Sequence, residues 1–169
     1  VTDNTTVVTM TVSAGATVVG TATATAVNGV ATFSNVGISG TAGTSYTLTY
    51  AATGLTSATQ SITVSAGTAT QLVLTTSAAG AASGAAFTTQ PVVAIRDAGG
   101  NTKTTDNSTV VTMTASAGAT VVGTATATAV NGVATFSHVG ISGTAGTSYT
   151  LTFAATGLTS ATQSKIGRA

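Results

Sequence analysis

The strongest constraint on the fold of this chain is an internal duplication. Residues 1–61 align without a gap with residues 104–164, an offset of 103 positions, and only five of the 61 aligned pairs differ. The differing pairs are Val1/Thr104, Thr5/Ser108, Val12/Ala115, Asn35/His138 and Tyr50/Phe153. Solenoid repeats have a period of roughly 20 to 50 residues, whereas a repeat this long corresponds to a small domain. The sequence therefore predicts a tandem array of homologous domains.

The composition predicts β-structure with a surface of hydroxyl and methyl groups in place of ions. The 169 residues include 42 threonines and 20 glycines, but only seven charged side chains and no cysteine, tryptophan or glutamate. Thr and Val favour pleated strands, and a hydrophobic content of 43% with so little charge argues against disorder. Such a surface repels its neighbours weakly. This favours a filament, a coat or a crowded cell surface.

The charge balance and the hydropathy pattern argue against two classes of partner. The formal net charge is +1 and the Lys and Arg residues do not cluster, so there is no electrostatic case for binding nucleic acid. No segment approaches the roughly 18 apolar residues of a membrane span. Because the chain opens at Val1 without a signal peptide, we interpret it as a mature, processed or excerpted piece.

Alternating apolar residues and turn signals predict seven short strands in the second copy. Asn131-Gly132 is the strongest hairpin signal, because both residues can take positive φ. The Ala/Gly/Ser-rich stretch 77–86 is expected to form a loop or a crossover. The predicted strands are residues 71–76, 92–97, 109–115, 124–130, 133–137, a strand with Tyr149, Leu151 and Phe153 facing inward, and a last strand from 160 to 164, which corresponds to 57–64 in the first copy. This spacing, with no helical period, predicts an all-β fold in which each of the two tandem copies is a β-sandwich.

The predicted core of the second copy consists of ten large apolar side chains. Fully burying each one contributes about 1.5–3 kcal/mol, and chain entropy offsets most of the sum. They are Leu72, Leu74, Val93, Ile95, Val111, Met113, Phe136, Tyr149, Leu151 and Phe153.

The first copy has no counterpart of residues 67–103, which carry the first two predicted strands. We interpret residues 1–65 as an incomplete repeat with strands three to seven, 67–164 as a complete repeat, and 165–169 as a non-repeat tail typical of an expression scar or a frayed end. Three arrangements stay open. The chain is a fragment of a longer array, or an adjacent chain supplies the strands, as in donor-strand complementation. In the third, residues 72–97 close the sandwich of residues 1–64 and leave the C-terminal one open.

No group of side chains in the sequence predicts catalysis. Acid–base chemistry needs two placed carboxylates or a histidine with partners. Asp3 and Asp106 are copies of one position, and the only histidine, His138, is replaced by Asn35 in the other copy, as is typical of a solvated turn residue. We therefore expect no enzyme, with neither catalytic nor cofactor-binding residues.

Four oxygen-bearing residues are the only candidates for a metal site. Asp97, Asn101, Asp106 and Asn107 are close in sequence, but Asp97-Ala-Gly-Gly-Asn101 lacks the alternating acidic pattern of an EF-hand. A plain turn is the favoured interpretation, and a weak calcium site is the alternative left open. No other cofactor is expected.

Three segments resemble bacterial immunoglobulin-like repeats of large surface proteins, the invasin and intimin type. The segments are VAIRDAGGN at 93–101, VNGVATF at 130–136 and GTSYTLT at 146–152. The resemblance implies an immunoglobulin-like β-sandwich fold for the repeat. It also implies stalk modules that hold a terminal binding domain away from the cell, and some arrays of this type bind receptors or calcium. No functional residues carry over, because none of the matched motifs is a binding motif.

The expected function is therefore a structural, extracellular repeat of a bacterial adhesin stalk or of a self-assembling filament, at the cell surface or secreted. Neighbouring repeats or copies of the chain itself are the expected partners. A glycan or host-surface partner would bind elsewhere in the full protein. The alternative is an adhesive module for a glycan or a host protein, which would need an exposed aromatic or charged cluster.

Overall fold

The structure, a computed structural model, describes residues 2–80 and 82–166, with only the backbone of 165 and 166. The chain divides into two compact units, Val1–Ser65 and Ala66–Ala169, here called unit 1 and unit 2. Seventeen strands and no helix form within the described residues. The described residues therefore contain no helix long and apolar enough to cross a membrane. The protein is all-β, as predicted.

Unit 1 contains seven antiparallel strands in two sheets. One sheet has the order β4-β3-β1-β6-β7 and the other pairs β2 with β5. The strands are β1 (Val7–Val12), β2 (Ala16–Gly20), β3 (Thr23–Val27), β4 (Val30–Ala31), β5 (Val36–Gly40), β6 (Ser45–Ala51) and β7 (Ala58–Thr63).

Unit 2 repeats these seven strands and adds three before them. The added strands are β8 (Ala69–Thr76), β9 (Ala85–Ala86) and β10 (Val92–Asp97). The repeated strands are β11 (Val110–Ala115), β12 (Ala119–Gly123), β13 (Thr126–Val130), β14 (Val133–Thr135), β15 (Val139–Gly143), β16 (Ser148–Ala154) and β17 (Ala161–Ile166). The large sheet has the order β17-β16-β11-β13-β14-β10-β8, and the small sheet has the order β12-β15-β9.

The core of unit 2 lies between these sheets, and the unit is an immunoglobulin-like β-sandwich. Nine of the ten predicted core residues are buried, while Leu74 is partly buried against the core. Side chains alternate along β16 as predicted, so that Tyr149, Leu151 and Phe153 face inward. Phe87, Val139 and Ile141 also belong to this core, and the sequence analysis missed them.

The predicted hairpin at Asn131-Gly132 is confirmed. Both residues have positive φ, 49° and 75°, and they join β13 to β14 where Val130 pairs with Val133. Asn28-Gly29 does the same in unit 1, with φ of 52° and 81°. An Asn-Gly pair adopts this mirror-image turn with little strain, because Gly has no Cβ and Asn tolerates the left-handed region.

The predicted number of strands is wrong in both copies. The described residues of unit 2 form ten strands where seven were predicted, and those of unit 1 form seven where five were predicted. The prediction missed β12 and β15 because two adjacent valines in ATVVG, and the glycines and serine in VGISG, break the alternation of apolar and polar residues. It also assigned 77–86 to a loop or crossover, although β9 lies there and pairs with β15.

The arrangement in which residues 72–97 close the first sandwich is also wrong. β10 pairs with β14 through Val93↔Ala134, and β8 pairs with β10 through Leu72↔Ile95. Both strands therefore belong to unit 2. At the other end of the unit, β17 continues through the first two tail residues, and residues 167–169 lie outside the described residues.

Candidate interaction face of unit 1

A ribbon formed by β8, β9 and β10 covers one side of unit 2. It is defined here as residues 66–103, which extend from the start of unit 2 and include the segment 67–103 for which the first copy has no counterpart. Along the large sheet, the N–H of Phe136 donates to the carbonyl of Pro91 at 3.1 Å, and the N–H of Ile95 donates to the carbonyl of Gly132 at 2.9 Å. These bonds continue the sheet beyond β14.

The same ribbon also bonds to the small sheet. The side chain of Gln90 accepts the N–H of Val139 at 3.0 Å and donates to its carbonyl at 3.0 Å. The N–H of Phe87 donates to that carbonyl at 2.9 Å, and the N–H of Gly84 donates to the carbonyl of Ile141 at 3.1 Å. The ribbon therefore connects both sheets.

The opposite side of the ribbon meets the segment that leads into β17. Leu72 donates its N–H to the carbonyl of Thr159 at 2.8 Å, and Thr159 donates its own to Thr70 at 2.9 Å. The amide of Gln163 exchanges two hydrogen bonds of 2.9 Å with the backbone of Ala78. The ribbon thus fills the space between the β14 edge and this segment.

The equivalent side of unit 1 has the same residues, and within the described residues no ribbon covers it. Ala31, Phe33, Val36 and Ile38 are half-buried, whereas their counterparts Ala134, Phe136, Val139 and Ile141 are all buried. Val30, at the edge formed by β4, is 63% exposed. These five residues and Gly37 are called the open face.

Gly37 of the open face and its counterpart Gly140 differ most clearly in the space around them. A Cβ added to Gly140 in unit 2 would lie 2.0 Å from the carbonyl oxygen of Ala85 in β9, so no side chain fits there. A Cβ added to the equivalent Gly37 would meet nothing within 4 Å. The two glycines occupy the same place in the repeat, but only one of them has a strand passing over it.

An aromatic pair lies in the same place in both units. Phe136 and Phe153 pack edge to face at 5.5 Å in unit 2, and Phe33 and Tyr50 do so at 5.4 Å in unit 1. Both rings of the unit 2 pair are buried, whereas both rings of the unit 1 pair are half-buried. The open face therefore exposes part of what is a hydrophobic core in unit 2.

The four calcium candidates lie in two turns, on either side of Lys103. The carboxylate of Asp97 accepts the N–H groups of Gly67 and Asn101, each at 2.8 Å, and the side-chain amide of Asn101 at 3.2 Å. These bonds, led by that from Gly67, hold the pKa of Asp97 below its ordinary value. The side chain is only 7% exposed, so this carboxylate stabilises the turn after β10.

Asp106 and Asn107 stabilise the second turn. Burial alone would raise the pKa of Asp106, but hydrogen bonds from the hydroxyl of Thr109 (2.7 Å) and from backbone N–H groups outweigh it and lower the pKa. Asn107 accepts the N–H of Asn131 at 2.8 Å. No group of three or more His, Cys, Asp or Glu side chains suited to a metal forms within the described residues. The plain turn stays the favoured interpretation, and the weak calcium site stays the untested alternative.

Unit 1 repeats the second turn. Asp3 accepts the N–H groups of Thr5 and Thr6, each at 3.0 Å, and hydrogen bonds led by the Thr6 side chain lower its pKa to about 2. Asn4 accepts the N–H of Asn28 at 2.8 Å, as Asn107 accepts that of Asn131. The duplicated acid and amide therefore have the same structural role in both copies.

His138 lies in an exposed bend just before β15, with a φ of 57°, and Asn35 has a φ of 55° at the equivalent place. Asn and His are among the residues that most readily enter this left-handed region, which explains why the repeat accepts either.

A shallow depression of about 380 Å³ on unit 2 is lined by Val110, Thr112, Ala154, Ala155 and Thr156. None of these five side chains is ionisable.

Comparison with known proteins identifies no family. No family model matches the sequence, and no curated protein matches it. Similar solved structures include a glycosyl hydrolase family 2 member from Bacteroides cellulosilyticus, with 15% identity, a TM-score of 0.48, and coverage of 79% of this chain and 18% of that chain. Another is a beta-glycosidase from Bacteroides vulgatus, with 12% identity, a TM-score of 0.47, and coverage of 96% and 21%.

A beta-glucuronidase from Parabacteroides merdae is also similar, with 11% identity, a TM-score of 0.45, and coverage of 95% and 21%. The chain spans about a fifth of the length of these enzymes. At these identities and TM-scores the similarity carries no argument about activity.

Proposed function

We propose that the chain is a non-catalytic structural repeat that works in series with further sandwiches of its kind. The observation that carries this proposal is the nature of the polar contacts that recur in both units. Ser13 and Ser116 accept the N–H groups of Thr47 and Thr150, each at 3.1 Å. The hydroxyl of Tyr149 accepts the N–H of Thr144 at 2.8 Å, as Tyr46 accepts that of Thr41 at 3.0 Å.

All of these hydrogen bonds stabilise the backbone within one unit. The Asp and Asn side chains of the duplicated turn do the same. A site for chemistry would instead need polar groups that converge on a cleft. An array under tension needs the same hydrogen bonds in every unit, since each unit must hold its own strands together. This is the physical basis of the structural role.

The setting of this role rests on the surface and on the resemblance to bacterial immunoglobulin-like repeats. Seven charged side chains in 169 residues leave little repulsion between neighbouring copies. An extracellular stalk of a bacterial adhesin, or a filament with strand complementation between neighbouring chains, tolerates or uses such a surface. We place the chain in this class, at the cell surface or secreted.

The adhesive alternative receives less support. Sugar-binding and protein-binding surfaces are enriched in exposed aromatic side chains. None of the seven aromatic residues here is exposed: five are buried, and only Phe33 and Tyr50 are half-buried. Those two belong to the side of unit 1 that corresponds to the covered core of unit 2.

Single-molecule pulling of the full chain tests the structural role. We expect two unfolding steps, whose length gains scale with the residue numbers of the two units at about 3.3–3.6 Å per residue. Imaging by electron microscopy then separates the two settings, because long fibres favour the filament and persistent single rods favour the stalk. Extension at negligible force without discrete steps would contradict a structural module that resists tension.

A further inference from the structure

We propose that the open face of unit 1 is the acceptor for a β-ribbon with the sequence of residues 66–103, contributed by another copy of this repeat. The inference deepens the proposed structural role and rests on it. It specifies the occupant, the register and the contacts that complete the unit.

The register follows from the identity of the two copies along the acceptor strand. In unit 2, Val92, Val93 and Ala94 of β10 pair with Thr135, Ala134 and Val133. The same sequence, Val-Ala-Thr, stands at residues 30–32. The incoming ribbon therefore places its Val93 opposite Ala31, antiparallel to β4.

The chemistry of the open face matches this ribbon on both of its edges. Val36 carries the same backbone groups that Val139 offers to Gln90 and Phe87, and Thr56 and Gln60 occupy the places of Thr159 and Gln163. Apolar side chains of the ribbon, including Phe87, Val93 and Ile95, are buried in unit 2. A ribbon that is not already packed on its own sandwich would bury these side chains on unit 1 and remove both partners from water, which is the main favourable term in association.

Gly37 distinguishes this occupant from other proteins that could cover an apolar face. Any side chain could stand at residue 37 in the structure, since a Cβ there meets nothing within 4 Å. The position requires glycine only when a backbone passes as close as β9 passes Gly140. A ribbon threaded as in unit 2 meets that condition, whereas a partner held by side chains alone does not need it.

The test uses the full chain and a synthetic peptide of residues 66–103. We expect saturable one-to-one binding, with slower hydrogen exchange at the amides of Phe33 and Val36, because the equivalent amides in unit 2 donate to Pro91 and Gln90. Gly37→Ala should weaken binding by about tenfold or more, because its Cβ would clash with the backbone of the bound ribbon. Thr9→Ala, at an exposed position of the central strand β1, is the matched control and should bind as the parent chain does.

A second variant guards against a peptide that associates with itself. Fusing the sequence of residues 66–103 directly before Val1 reproduces the spacing of unit 2, where Lys103 precedes Thr104. The fusion should raise the urea midpoint of unit 1, followed at the methyl group of Met10, to near that of unit 2. Adding Gly37→Ala to the fusion should remove the gain.

Several outcomes would overturn the inference. The first is that the peptide does not bind and the fusion does not raise the urea midpoint. The second is that Gly37→Ala leaves the binding or the gain in midpoint unchanged. The third is that two unit 1 faces pair with each other in the absence of the ribbon. Each of these would leave the structural role standing, because two-step unfolding under force tests that role without the ribbon.

Discussion

The difference between the two units predicts that one substitution will have two different costs. Phe136 is 1% exposed, and its ring packs edge to face on Phe153. Truncating such a buried Phe to Ala costs about 3–5 kcal/mol of unfolding free energy. The equivalent Phe33 keeps its aromatic partner, but part of its ring already faces water. We expect Phe33→Ala to cost about 1–2 kcal/mol, from the aromatic pair and the smaller apolar area.

The chain offers a probe for each unit. It contains two methionines, Met10 in unit 1 and Met113 in unit 2, and both are buried. With methyl-labelled methionine, a urea titration followed by NMR gives one transition per signal. The loss caused by Phe33→Ala is read at Met10, and the loss caused by Phe136→Ala is read at Met113.

A second pair of variants controls for the general stability of each unit. Leu48 in unit 1 and its counterpart Leu151 in unit 2 are both buried. Truncating either to Ala should lower the unfolding free energy of its unit by about 2–5 kcal/mol, with little difference between the units. Equal losses for Phe33→Ala and Phe136→Ala would refute the reasoning. So would a Met10 signal at its unfolded position before urea is added, because unit 1 would then have no fold to lose.

Three further predictions use the same probes. Tyr149→Phe removes the acceptor of the Thr144 N–H and should lower the unfolding free energy of unit 2 by about 0.5–1.5 kcal/mol, measured at Met113; an unchanged midpoint would mean that this hydroxyl is dispensable. The pKa of Asp97 is lower in the folded state, so its contribution is complete above the unfolded value of about 3.9 and is lost as the pH falls toward the folded value. Urea midpoints between about pH 2 and pH 6 should fall less steeply in Asp97→Asn than in the parent chain, and an equally steep fall would contradict this role. Because N–H groups already use the oxygens of Asp97, Asp106 and Asn107, calcium and chelator should give the same midpoint at Met113; a calcium-dependent rise abolished by Asp97→Asn would instead establish a calcium site.

Much of the fold could be predicted because it is encoded over short distances. The Asn131-Gly132 hairpin depends on two adjacent residues that accept positive φ. The inward side of β16 follows from the alternation of Tyr149, Leu151 and Phe153. The short strands β12 and β15 could not be predicted in this way, because adjacent valines in β12 and the glycines of β15 break the alternation that reveals a strand.

The contacts of the ribbon could not be predicted from local patterns. Gln90 bonds to Val139, 49 residues further along the chain, and neither residue belongs to a motif that indicates this bond. The sequence around Gly140 does not indicate that the backbone of β9 passes directly over this residue. The partners of Asp97 were nearby in sequence only in part, since Gly67 lies 30 residues away.

The duplication, the all-β class, the turns and the side chains able to face a core can all be read from the order of the residues. Which of those side chains become buried depends on the folded arrangement of distant strands. Ile38 and Ile141 have the same neighbours along the chain, yet one is half-buried and the other is buried. The physical reason is that burial depends on a strand arriving from elsewhere. Unit 2 has that strand, and the described part of unit 1 does not.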